Sequence, residues 1–87
     1  MATRDSMENL MQQVEDTLRY AEEQYKHSSL QEHYNNDDYT TALQQLEQTY
    51  QDICTMAHSA NGQQREQLHR MRLQIQQLQN SMIIETR

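Results

Sequence analysis

The apolar residues of this chain fall into three runs with alternating three- and four-residue spacing, the period of helices that each bury one stripe. The first run is Met7, Met11, Val14, Leu18, Ala21 and Tyr25. The second is Tyr39, Leu43, Leu46, Tyr50, Ile53, Ala57 and Ala60, and the third is Leu68, Met71, Ile75, Leu78 and Met82. Between the first two, Gln31-Glu32-His33-Tyr34-Asn35-Asn36 carries no stripe and reads as a connection. Asn61-Gly62 follows the second run, and both residue types tolerate the left-handed conformation that ends helices. The spacing of the second run would continue at 64, 67, 71, 74 and 78, whereas the third occupies 68, 71, 75, 78 and 82. The phase therefore changes at Gly62, and a turn accounts for both the glycine and the change. The pattern predicts an antiparallel three-helix bundle over 5–31, 38–60 and 63–86, within a single domain spanning 1–87. The alternative is a long helical hairpin in which the second and third helices run on as one, with a stutter at the junction.

Local signals sharpen the ends. Asp5 and Glu8 have the spacing of a capping box, and Asn36, Asp37 and Asp38 supply a cap and negative charge before the second run. Glu15–Arg19 and Glu22–Lys26 have the favourable acid-first order for pairs along an exposed helix face. In heptad terms Glu47 and Arg72 both take the e position, so an antiparallel second and third helix would bring them together as a rim salt bridge.

Composition strengthens the all-α reading. The 87 residues include no Pro, one Gly, no Phe and no Trp, so turn punctuation and strand formers are both scarce. The net charge of −6 is uneven. Residues 1–62 carry eleven acids against Arg4, Arg19 and Lys26, while 63–87 carry four arginines against Glu66 and Glu85. A net-acidic chain repels phosphate backbones, so nucleic acid is not expected as a partner. The opposite signs fit a basic third helix docked on acidic neighbours. The longest strongly apolar run, Met82-Ile83-Ile84, is far short of a membrane span, and Met1-Ala2-Thr3-Arg4-Asp5-Ser6 has no apolar signal-peptide core. A lone Cys54 cannot form an intrachain disulfide, and a cytoplasmic setting is the expectation.

Catalytic signatures are missing: there is no nucleophile elbow, glycine-rich phosphate loop or C-x-x-C. No enzyme activity, cofactor or small-molecule substrate is expected. Glu66-x-x-His69 matches half of a di-metal motif, but the second copy is absent and both residues fall outside the third stripe. Cys54-x-x-x-His58 puts two ligand types one turn apart, and a turn at Gly62 would bring His69 level with them. Cys54, His58 and His69 are thus the metal candidates, set against a small thiol packed beside Ile53 and a histidine at a helix end. His27 and His33 form no ligand pattern. The fifteen Gln interleave with the stripes and read as polar helix faces. Tyr20, Leu30, Leu73, Ile83 and Ile84 fall off the stripes, and Leu73, Ile83 and Ile84 make a candidate interaction face.

Two segments carry a resemblance. They are Gln31-Glu32-His33-Tyr34-Asn35-Asn36 and the stretch from Ser59 through Asn61, Gly62, Arg65, His69 and Met71 to Arg72, with the likeness running the whole length from Met1. The chain is similar to the YtzC-like family of small uncharacterised proteins from spore-forming bacteria. That resemblance implies a bacterial, cytosolic setting and supplies no activity, cofactor or site residue. The sequence therefore points to a non-enzymatic helical interaction module that binds a protein partner or itself as a homodimer. The alternative is a metal-binding or redox-sensing protein using Cys54, His58 and His69.

Overall fold

The computed structural model describes residues 3–30 and 36–85, which form α1 (Arg4–Leu30), α2 (Asn36–Ala57) and α3 (Gly62–Glu85). Each helix packs on both others in an elongated bundle of 46 × 20 × 15 Å. Of the expected connection at 31–36, residues 31–35 lie outside the described residues, as do the side chains of His27, Leu30 and His33, and Asn36 already belongs to α2, which starts two residues before the expected 38.

Asn61-Gly62 does divide the chain, though by a different device from a left-handed stop. No glycine or other described residue has positive φ. Instead Asn61 caps the helix that follows. Its Oδ1 accepts the backbone N–H of Gln64 at 2.9 Å, and Gln64 Oε1 accepts the Asn61 N–H at 3.0 Å. This reciprocal capping box satisfies two of the amides a helix start leaves open, and Gly62 becomes the first residue of α3. Before it, α2 tightens into three-residue hydrogen bonds from His58 to Thr55, Ser59 to Met56 and Ala60 to Ala57. Helix 2 accordingly ends at Ala57 rather than at 60. Arg65, one turn into α3, donates through Nε to the Ala57 carbonyl at 3.2 Å, placing a cation on the negative end of α2. The first helix also starts differently from the sequence expectation: Thr3 Oγ1, not Asp5, takes the capping role by accepting the Ser6 N–H at 3.0 Å.

The buried seam of α1 runs through Met7, Leu10, Val14, Thr17 and Ala21, and that of α2 through Tyr39, Ala42, Leu46, Thr49 and Ile53. This corrects the expected stripes. Leu10 is buried where Met11 was expected, and Met11 is 39% exposed. Leu18, Leu43 and Tyr50 flank the core, half-buried, because the seam runs through Thr17 and Thr49 instead. The two hydroxyls are buried and share a hydrogen bond of 3.1 Å. Gln13 Nε2 extends the pair, donating to Thr49 Oγ1 at 3.3 Å and to Asp52 Oδ2 at 2.7 Å, while Gln48 donates to Asp52 Oδ1 at 3.0 Å. α3 contributes Leu68, Ile75 and Met82, one residue per heptad, each essentially fully buried. Full burial of each such side chain is worth about 1.5–3 kcal/mol. At the far end Tyr39 OH donates to the Met82 carbonyl at 2.6 Å, joining the start of α2 to the end of α3.

Helix order and antiparallel packing agree with expectation; the rim register does not. Glu47 accepts from Gln79 at 3.1 Å rather than pairing with Arg72. Gln79 lies one heptad beyond Arg72, so the face was read correctly and the level along the groove was not. Tyr50 and Gln76, joined at 3.4 Å, keep the same register.

Two expectations follow for stability. A Cβ at Gly62 meets nothing within 4 Å. Gly62→Ala should therefore stabilise by about 0.4–1 kcal/mol, and Gly62→Pro, at the helix position proline favours, should be tolerated. Proline at Ile53 or Ile75 should cost about 3 kcal/mol or more by urea unfolding. Equal losses at all three sites would contradict the turn. Second, Thr17→Val and Thr49→Val should each cost about 1–3 kcal/mol, by stranding the partner's hydroxyl, and the double substitution should cost less than their sum.

Candidate functional site

Two surface features bear on the residues singled out in the sequence. The first is a cleft between the C-terminal half of α2 and the N-terminal half of α3, of about 320 Å³, lined by Ile53, Cys54, Ala57, Arg65, Leu68, His69 and Arg72. Its floor is apolar because Ile53 and Leu68 are seam residues seen edge-on from the groove. Its rim is basic because the charge excess of the C-terminal segment falls here, and no acid lines it.

Register explains the cleft. One heptad separates Glu47 from Cys54 on α2 and Gln79 from Arg72 on α3. Where Gln79 meets a carboxylate, Arg72 meets the level of a thiol, a weak acceptor. Arg72 Nε is buried without a hydrogen-bond partner. Its Nη2 lies 2.9 Å from His69 Nδ1, and since a guanidinium only donates, Nδ1 accepts and the ring proton sits on Nε2. A buried donor left unpaired costs about 1–3 kcal/mol, so the orphaned Nε marks a place where an acceptor would be favourable.

The metal candidates separate in space. Cys54 and His69 meet at the cleft, while His58 is exposed in the turn after α2 and does not line it. Among the described residues no three His, Cys, Asp or Glu side chains are placed to hold a metal ion. The His69 nitrogen nearest Arg72 is already engaged by that cation. Glu66 of the E-x-x-H pair points outward and bridges Arg70 at 3.0 Å.

The second feature is the outer face of α3. Leu73 and Ile84 are 49% and 66% exposed, directly opposite the Leu68–Ile75–Met82 seam. Eleven residues separate them, three turns at 3.6 residues per turn, so they stack on one line about 16 Å apart. Ile83, 47% exposed, sits to one side of that line. Sequence reasoning found these residues because they break the stripe. It found Cys54 and His69 as metal candidates, and its heptad assignment put Arg72 beside the α2–α3 seam, where it does lie, though opposite Cys54 rather than Glu47.

The chain is thus a small all-α protein, a three-helix bundle with a basic interhelical cleft and two exposed aliphatic side chains, Leu73 and Ile84, on the outer side of α3. It belongs to the family described as "Protein of unknown function (DUF2524)", whose model matches residues 1–84. It is 51% identical over 85 residues to the "Uncharacterized protein YtzC" of Bacillus subtilis (strain 168), covering 98% of this chain and 94% of that protein. No solved structure matches it. No described helix is long and apolar enough to cross a membrane.

The cleft's charge is testable through its thiol. Cys54 should react faster with the anionic disulfide 5,5′-dithiobis(2-nitrobenzoate) than with neutral 4,4′-dithiodipyridine, relative to free cysteine. The excess should vanish between low salt and about 1 M, where screening shortens to about 3 Å. Identical salt dependence for the two reagents would contradict a basic cleft.

Proposed function

We propose that this protein is a non-catalytic interaction module that binds through the solvent face of α3, and that its first partner is a second copy of itself. The observation carrying this reading is the Leu73–Ile84 line, two large aliphatic side chains exposed on the side of α3 that its own core does not use. Isolated exposed apolar residues are ordinary, but an aligned pair flanked by Ile83 is the form a helix-on-helix contact takes. Charge supports self-association. The last 25 residues carry a net positive balance and the first 62 a strongly negative one, so two copies offset against each other meet opposite signs. A lone half-buried cysteine suits a reducing compartment, and we place the module in the bacterial cytoplasm.

The alternative of a metal-binding protein finds less support. The cleft that holds Cys54 and His69 also holds two arginines, which suit an anion rather than a cation.

Sedimentation equilibrium tests the reading. The wild type should show a concentration-dependent dimer. Leu73→Glu with Ile84→Glu should be monomeric, with thermal stability close to that of the wild type because both side chains lie outside the core. A wild type that stays monomeric at the highest concentrations would remove self-association, and a dimer unaffected by the double substitution would remove this face.

A further inference from the structure

We infer that the cleft between α2 and α3 is a binding site for a small organic anion carrying one carboxylate on a short unbranched apolar body. Four observations converge on that class. The cleft's volume of about 320 Å³ lies at the lower end of small-molecule cavities, so it admits a short chain and not a partner helix. Its floor, Ile53, Ala57 and Leu68, is aliphatic and offers nothing to a polar body. Its rim presents Arg65 and Arg72 with no carboxylate among the lining residues. Arg72 lines the cleft with a buried Nε donor that has no acceptor, so a carboxylate there would supply the missing partner once the side chain turns toward it.

The heptad relation gives the geometry. Glu47 fills the acceptor position opposite Gln79, and one heptad toward the turn the same position holds Cys54. The bound carboxylate occupies the place a glutamate would have taken, against Arg72, with Arg65 closing the end next to the Ala57 carbonyl it caps. The apolar body lies along Leu68 and Ile53. Cys54, the small residue here, leaves the space.

Amide chemical-shift titration with hexanoate tests this, with hexanol and inorganic phosphate as comparison probes. Hexanoate should produce saturable shifts centred on Ile53, Cys54, Leu68 and Arg72. Hexanol, lacking the charge, and phosphate, lacking the apolar body, should each bind about tenfold more weakly or worse. Arg72→Gln should weaken hexanoate to a similar degree. Cys54→Glu should supply the acceptor from within, raise the melting temperature and abolish hexanoate binding, which keeps the test open if Arg72→Gln fails to fold. Absence of saturable shifts, equal shifts from hexanol or phosphate, or undiminished hexanoate binding by folded Cys54→Glu would each overturn the assignment.

Discussion

The bundle depends on how the chain reverses between α2 and α3. Asn61 and Gln64 satisfy each other's backbone amides, so α3 can begin at Gly62 without help from the rest of the molecule. Arg65 then closes the other side of the turn by capping the Ala57 carbonyl that the end of α2 leaves open. Together these contacts end one helix and start the next within four residues, His58 to Asn61, and lay the basic segment of the chain back along α2. The antiparallel groove, the cleft within it and the outward direction of Leu73 all follow from this reversal.

Given the reversal, polar contacts hold the register more narrowly than apolar packing alone. A seam of Leu, Ile, Met and Ala tolerates sliding, since one aliphatic side chain replaces another at modest cost. The Thr17–Thr49 hydrogen bond with Gln13 and Asp52 does not, because a shift of either helix strands a buried hydroxyl. Tyr39 OH on the Met82 carbonyl does the same for α2 and α3 at the opposite end. With the register fixed at Glu47–Gln79, Arg72 stands at the level of Cys54, and the cleft is the consequence.

Much of this was legible in the sequence, for identifiable reasons. The 3,4 spacing and the scarcity of Gly and Pro gave helix number, order and approximate ends, because those depend on local periodicity. In α1 and α2 the expected Met7, Val14, Ala21, Tyr39, Leu46 and Ile53 are buried, while the alternate seam positions lie one residue earlier than the apolar pattern indicates. An apolar-only reading selects Met11, Leu18, Leu43 and Tyr50 and passes over Thr17 and Thr49, whose burial depends on each other across a gap of 32 residues. Asn61-Gly62 marks a break by residue type alone, but which helix it caps depends on the reciprocal Gln64, three residues on. The Glu47–Arg72 expectation failed by one heptad, which periodicity cannot detect because every heptad looks alike to it. Leu73 and Ile84 were found as exceptions to the stripe, whereas the orphaned Arg72 Nε is invisible without coordinates.

The two proposed sites lie on different sides of one helix. The proposed anion falls on the inner edge of α3 and the proposed self-association on its outer line, so occupancy of one would leave the other free. Both readings require α3 to fold back on α2 at Asn61. The most direct measurement is the nitroxide–nitroxide distance between labels at Gln48 and Gln77, both exposed, in a Cys54→Ser background with excess unlabelled protein to suppress contacts between copies. The hairpin predicts a short distance, on the order of 20 Å, since packed helix axes lie about 8–10 Å apart and the tethers add the rest. A single continuous helix would separate the same positions by about 44 Å, and a distribution centred there would contradict the account.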